Sequence, residues 1–138
     1  RPILVGFMLG EVRKGELVTS DGAQVGDRIL FTKRVSVEGT SIIAREVGER
    51  LIDAGIDEES VDRAKGFLHD PGINVLCEAQ AAVKAGDVHA MHDPTEGGLA
   101  TGLHELAMAA GTGVEVHLED IPFFAETEAF CDVLSHSA

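Results

Sequence analysis

Apolar positions in this chain fall into two periodicities. Ile3 to Leu9 is apolar at every position except Gly6, a run of strand length, and Lys14-Gly15 supplies a turn after it. Leu17 to Thr19 reads as a short returning strand. Asp21-Gly22 and Val25-Gly26-Asp27 are turn chemistry, and Arg28 to Lys33 reads as a central strand rich in β-favouring residues. The period then changes. Ile43, Val47 and Leu51 recur every four residues beside Ile42 and Ile52, which predicts a helix closed by Gly55 at C′. A second helix is expected from Asp57, an N-cap followed by Glu58 and Glu59 where the dipole favours negative charge, to about His69-Asp70-Pro71-Gly72. A third, rich in Ala, is expected from about Asn74 to Ala85, stopping at Gly86.

Val88, Ala90 and His92 alternate as in a strand that delivers His92 to a loop. Leu99, Leu103, Leu106, Ala107 and Ala110 then share one helix face, and Gly111 closes that helix. Val114, Val116 and Leu118 alternate with Glu115, His117 and Glu119, the pattern of a half-buried strand. A short last helix carries Phe130, Val133 and Leu134. Strands and helices are thus interleaved without repeat or linker, which predicts an α+β fold, a sheet covered by helices.

Composition narrows the function. The 138 residues hold 24 acidic against 11 basic side chains, a formal charge of −13. With no clustered Lys and Arg, and with no Trp or Tyr to stack bases, the sequence argues against nucleic acid and anionic membranes as partners. No apolar run has the length of a membrane span, and Arg1-Pro2 does not open a signal peptide, so a cytoplasmic location is expected. Cys77 and Cys131 lie too far apart for a CxxC pair and are expected to be small buried hydrophobes.

Chemistry concentrates between Val88 and Leu99. His92 and Asp93 end a predicted strand, where open sheets place ligand groups. Thr95, Gly97 and Gly98 open a helix whose first N–H groups have no intrahelical partner, so a phosphate or carboxylate could sit there. The competing reading is a helix capped by Thr95 with glycines for tight packing, and Glu96 favours it by competing with an anion for the same dipole. A second candidate is Thr32-Lys33, followed by Glu38-Gly39-Thr40 at a helix start, with Lys33 as a point charge; the alternative there is a solvated lysine and an N-cap at Thr40. Neither stretch matches a P-loop or GxGxxG. The six histidines have no ligand spacing: His89 and His92 are out of phase on a strand, His104-Glu105 lacks the second His of a zincin helix, and His69, His117 and His136 stand alone.

The segment HDPTEGGLATGLHELA, from His92 to Ala107, is similar to the hallmark of the aminoimidazole ribonucleotide (AIR) synthase superfamily, His-Asp-x-Thr/Ser-x-Gly-Gly-Leu. LVTSDGAQVGDRILFTKRVSVEGTSIIARE resembles the family passage into its carboxy-terminal domain, and GTGVEVHLEDIP the strand and connection after the hallmark helix. The resemblance is to AIR synthase-related and hydrogenase-maturation carbamoyl dehydratase-like members, although Glu96 stands where that dehydratase branch often has Arg. It implies a three-layer α/β/α carboxy-terminal domain related to the ferredoxin-like topology, spanning residues 1–138 and incomplete. It also implies an ATP-dependent enzyme that activates a substrate oxygen by phosphorylation. An amino-terminal domain outside this sequence would carry most Mg-ATP ligands and form a homodimer. This domain would close the cleft over a small-molecule substrate and bind no cofactor alone. His92, Asp93, Thr95, Gly97 and Gly98 would then line the anion site, with Thr32, Lys33 and Glu38 as weaker members. The alternative is a binding or dimerisation module that keeps the fold without the chemistry.

Overall fold

The computed structural model describes residues 2–135. Five helices form: α1 (Val37–Asp53), α2 (Glu58–Lys65), α3 (Leu76–Ala85), α4 (Gly98–Ala110) and α5 (Ala125–Ser135). At Asp57 and at the glycines after α1, α3 and α4 the caps are those that the sequence predicts, whereas Thr40 and Thr95 do not cap. Asp57 accepts from the backbone N–H of Ser60 at 2.8 Å to start α2. Gly55, Gly86 and Gly111 follow α1, α3 and α4 with positive φ. Two 3-10 turns (Ser20–Gly22 and Leu118–Asp120) and a wide turn at Leu68–Gly72 complete the regular structure. The second helix therefore stops at Lys65, short of the expected end at residues 69–72.

The core lies where α1, α2 and α5 meet, around Ala44, Leu51, Val61, Ala64, Phe67 and Phe130. On α1 the buried line is Thr40, Ser41, Ala44, Gly48 and Leu51, one step round from the predicted stripe, while Ile43 and Val47 pack only partly. Small residues are buried because α2 comes close: a Cβ at Gly48 would stand 3.1 Å from Val61 Cγ1. Polar anchors fix the helices. The Thr40 and Thr127 hydroxyls pair at 2.7 Å inside the core, so Thr40 lies within α1 and is no N-cap. Ser41 Oγ and Arg45 donate to the Lys65 carbonyl at 2.9 and 2.7 Å, satisfying a helix-end acceptor. Arg63 Nε donates to buried Glu126 at 2.6 Å.

The α+β, three-layer α/β/α expectation is overturned. Among the described residues no strand forms, and one isolated parallel bridge, Val35 with Phe123, is the only β pairing. A helix closes its hydrogen bonds locally, whereas a strand needs a second strand alongside, and alternation reports only which face could be buried. The runs at 3–9, 17–19, 28–33, 88–92 and 114–118 find no such neighbour. Ile3 to Leu9 consequently keeps its large apolar side chains 85–93% exposed. Both cysteines are exposed, against expectation; α3, which carries Cys77, buries no residue at all.

The Asp57 cap makes a prediction about pH. Hydrogen bonds from the Ser60 side chain and then its backbone N–H hold the Asp57 carboxyl below its ordinary range. A carboxylate with a lowered folded-state pKa stabilises above its unfolded pKa and loses that contribution as pH falls through the folded value. Asp57→Ala is expected to lower the urea midpoint at neutral pH, with parent and variant converging as pH drops below about 4. A gap independent of pH would show that the carboxylate is not the cap.

Candidate functional site

The site is built where α4 begins. Gly97 occupies the N-cap position at φ 76°, with no side-chain cap hydrogen bond, and Gly98 follows at φ 70°. Thr95 therefore does not cap α4; its backbone N–H turns back to the Asp93 carbonyl at 2.9 Å. Glycine is required twice over at 97. Its φ is left-handed, and a Cβ there would collide with the Thr101 hydroxyl at 2.3 Å. Gly98 has nothing within 4 Å of its missing Cβ, so the approach to the helix start is open. The first N–H groups of α4 thus stand at the positive end of a 13-residue helix that opens on two exposed glycines.

The residues before Gly97 fold back over α4. Pro94 lies on buried Gly102, where a Cβ would come within 2.7 Å of the proline Cβ and 3.7 Å of His92 Cδ2. His92 Nε2 meets Glu105 Oε2 at 2.7 Å, and its Nδ1 lies 3.9 Å from Asp93 Oδ1. The ring is thereby tied to carboxylates of its own chain, and Nε2 is taken up by α4.

Upstream, His89 Nδ1 lies 2.8 Å from Asp27. The Asp27 carboxyl is held below its usual range, chiefly by the Gln24 backbone N–H and next by His89. Ser20 Oγ reaches the Met91 carbonyl at 3.4 Å. Gly22 lies so close to the His89 carbonyl that a Cβ would stand 2.0 Å from the oxygen. Residues 88–92 thus run between the Ser20–Gly22 turn and α4.

The second candidate group is not assembled into this site. Lys33 Nζ bonds Glu78 Oε1 at 3.1 Å and the Asn74 carbonyl, with its side chain only 13% exposed. It is spent on the start of α3. Glu78 is held below its ordinary carboxyl range by its own backbone N–H and then by Lys33. Thr32 and Glu38 are exposed, the latter in the first turn of α1. Residues that sequence reasoning missed are Gly102, Glu105, Thr101 and Asp27. A signal existed for two of them: Gly98, Gly102 and Glu105 stand at i, i+4 and i+7, on the face the loop covers, and a glycine inside a helix marks close approach. Among the described residues no group of three His, Cys, Asp or Glu side chains is placed to hold a metal; His136 lies outside them. No described helix is long and apolar enough to cross a membrane.

Comparison with known proteins adds the following. The family model described as AIR synthase related protein, C-terminal domain, matches residues 24–136. The chain is 32% identical over 126 residues to a carbamoyl dehydratase HypE of Cupriavidus necator, covering 91% of this chain and 32% of the relative. A carbamoyl dehydratase HypE of Azotobacter vinelandii is 30% identical, covering 91% of this chain and 33% of its own. The phosphoribosylformylglycinamidine synthase subunit PurL of a Nostoc species is 30% identical over 88% of this chain and 15% of its own. The chain thus spans about a third of the length of the dehydratases. No solved structure matches.

Proposed function

Because the chain belongs to the AIR synthase related carboxy-terminal-domain family, we propose that it is the phosphate- and substrate-holding, cleft-closing domain of an ATP-dependent enzyme. In this reading the enzyme activates a substrate oxygen by phosphorylation. The observation that carries it is the start of α4: two positive-φ glycines, no side-chain cap, and an open approach to the first N–H groups. Such donors are fixed before an anion arrives, so they hold a phosphoryl group without reorganising. At −13 overall the chain offers little other cationic help, and Lys33 is already paired. Backbone N–H groups therefore supply the binding.

Mg-ATP, when bound, supplies the phosphoryl group. In this reading the start of α4 meets its phosphate end, and the domain outside this sequence would hold the metal. The relatives named for activity, a dehydratase and a synthase subunit, are longer than this chain, and by itself the chain is expected to turn over no ATP. His92 acts in this reading by pinning the loop through Glu105, not by touching the anion through Nε2. Asp93, Thr95, Gly97 and Gly98 stay as the residues around it.

One residue favours the alternative of a non-catalytic module: Glu96, whose carboxylate lies one position before the N-cap, competes with an incoming anion. Gly98→Val in the full-length protein separates the two. The substitution forces a β-branched residue to φ 70° and closes the open approach. ATP turnover is expected to fall at least about a hundredfold, the scale of losing fixed oxyanion donors, with the far-UV spectrum unchanged. Turnover at the parent rate would make the glycine-rich start a structural relic. ATP turnover by the 138-residue chain alone would overturn the division of labour.

A further inference from the structure

We infer that Asp27 is a positioning residue for the anion site proposed above. Through His89, 62 positions away in sequence, it holds residues 88–92 in place, and with them the loop that seats His92 and Pro94 on α4. The role rests on the reading of the α4 start as an anion site and adds to it a residue that touches no ligand.

The segment has no backbone ladder to hold it. Among the described residues, no backbone–backbone hydrogen bond involves residues 88–92, so side chains and close packing fix it. On the α4 side the ties are His92 with Glu105 and Pro94 on Gly102. On the other side every tie comes from residues 20–27. His89 Nδ1 reaches both Asp27 carboxylate oxygens, at 2.8 and 3.0 Å. Ser20 Oγ donates to the Met91 carbonyl at 3.4 Å, and the Gly22 backbone lies against the His89 carbonyl.

Asp27 is oriented by its own turn. Its Oδ2 accepts the Gln24 backbone N–H at 2.8 Å, and its own N–H donates back to the Gln24 carbonyl at 3.1 Å. Gly26, at φ 98°, lies between them. Pairing with His89 therefore orders one side chain rather than two. Ion pairs between two freely rotating surface side chains are worth little because both must be ordered. Arg13 with Glu16 is such a pair, 3.7 Å apart with side chains 87 and 58% exposed. His89 and Asp27 are 39 and 32% exposed.

Gly22 points the same way without any charge. Its φ is not left-handed, so its own backbone does not demand glycine. A Cβ would nevertheless stand 2.0 Å from the His89 carbonyl oxygen and 3.1 Å from the carbonyl carbon. The missing side chain is what lets the turn approach the segment. The same Ser20–Gly22 turn packs on α4, whereas α1, α2 and α5 pack on one another. Turn, segment and helix thus form one unit. Asp27 secures the His89 end of the segment, as Glu105 secures the His92 end.

The test reads the ring-nitrogen shifts of His92 and the ATP turnover of the full-length protein in Asp27→Ala, His89→Ala, His89→Asn and Gly22→Ala. Glu105→Ala, which removes the Nε2 partner outright, supplies the reference shifts. Asparagine presents a side-chain N–H near the place of Nδ1, so His89→Asn keeps the donor and loses the ring. In Asp27→Ala and His89→Ala the His92 shifts are expected to move toward those of Glu105→Ala. Turnover should fall about tenfold, the scale of one hydrogen bond to a charged group, and the double variant should be no worse than either single one. His89→Asn should restore most of both readouts, and Gly22→Ala should disturb both with no change of charge. His92 shifts equal to the parent's in Asp27→Ala and Gly22→Ala would overturn the role and leave the proposed function standing. A loss that His89→Asn does not rescue would also overturn it, since Asp27 would then act as a general stabiliser. Moved shifts with turnover at the parent rate would overturn the reading of α4 as an anion site, and this role with it.

Discussion

Phe130→Ala is expected to lower the melting temperature by about 10–20 °C, the largest stability loss of any single substitution in this chain. Phe130 is the largest fully buried side chain, at 0% exposure. It stands on α5 where that helix meets α1 and α2. Truncating a buried phenylalanine costs about 3–5 kcal/mol, because transfer energy is lost and the cavity does not fully collapse. Domains have about 5–15 kcal/mol in total, and for a chain of this size each kcal/mol moves the midpoint by about 3–6 °C. Few residues could share the load, since the buried apolar set is Ala44, Leu51, Val61, Ala64, Phe67 and Phe130, three of the six being Ala or Val. Phe67 and Phe124, with ring centroids 4.4 Å apart, stack on one another and would not fill the gap. Thermal melting followed by far-UV circular dichroism measures the effect. A shift of only one or two degrees would show that α5 does not close the core.

What the sequence made legible was what its residues settle locally. Asp57 with Glu58 and Glu59, and the glycines at 55, 86 and 111, mark helix ends because caps and left-handed conformations are decided within a few residues. The stripe on α1 was less legible. Ile43 and Val47 are larger than Ala44 and Gly48, yet the smaller pair faces α2, because close helix approach rewards small side chains and the sequence does not say which helix will approach. The strands were illegible for a different reason. Val114, Val116 and Leu118 alternate with polar residues whether or not a neighbouring strand is present, and here none is paired with them among the described residues. At the candidate site, His92, Thr95, Gly97 and Gly98 stand out in the sequence by turn chemistry alone. The roles of Thr95 and Lys33 do not, since the first depends on where α4 begins and the second on Glu78, 45 positions away.

Gly102→Val is expected to release the site while leaving the core nearly intact, the reverse of Phe130→Ala. A valine at 102 places its Cβ within 2.7 Å of Pro94 Cβ and 3.2 Å of Pro94 Cα, and neither a proline ring nor its backbone can give way as a flexible side-chain end can. The residues from His92 to Gly97 must lift off α4. His92 Nε2 then loses Glu105 Oε2, now 2.7 Å away, and the glycines that shape the helix start lose their support. Overpacking of this kind costs about 1–3 kcal/mol, which corresponds to a roughly 10–100-fold rise in amide exchange in the first turn of α4 if the opening is local. The α1–α2–α5 core is built from other residues, so its slowest-exchanging amides should change little. Hydrogen exchange read residue by residue separates these outcomes, and the ring-nitrogen shifts of His92 report its carboxylate partner directly. Protection at residues 98–101 and His92 shifts equal to those of the parent would mean that Pro94 does not rest on α4, and the support it gives the proposed anion site would fall with it. If the proposed function holds, the same substitution in the full-length protein should reduce ATP turnover without touching the helix-start residues themselves, which would place the loop's seat on Gly102 in that activity.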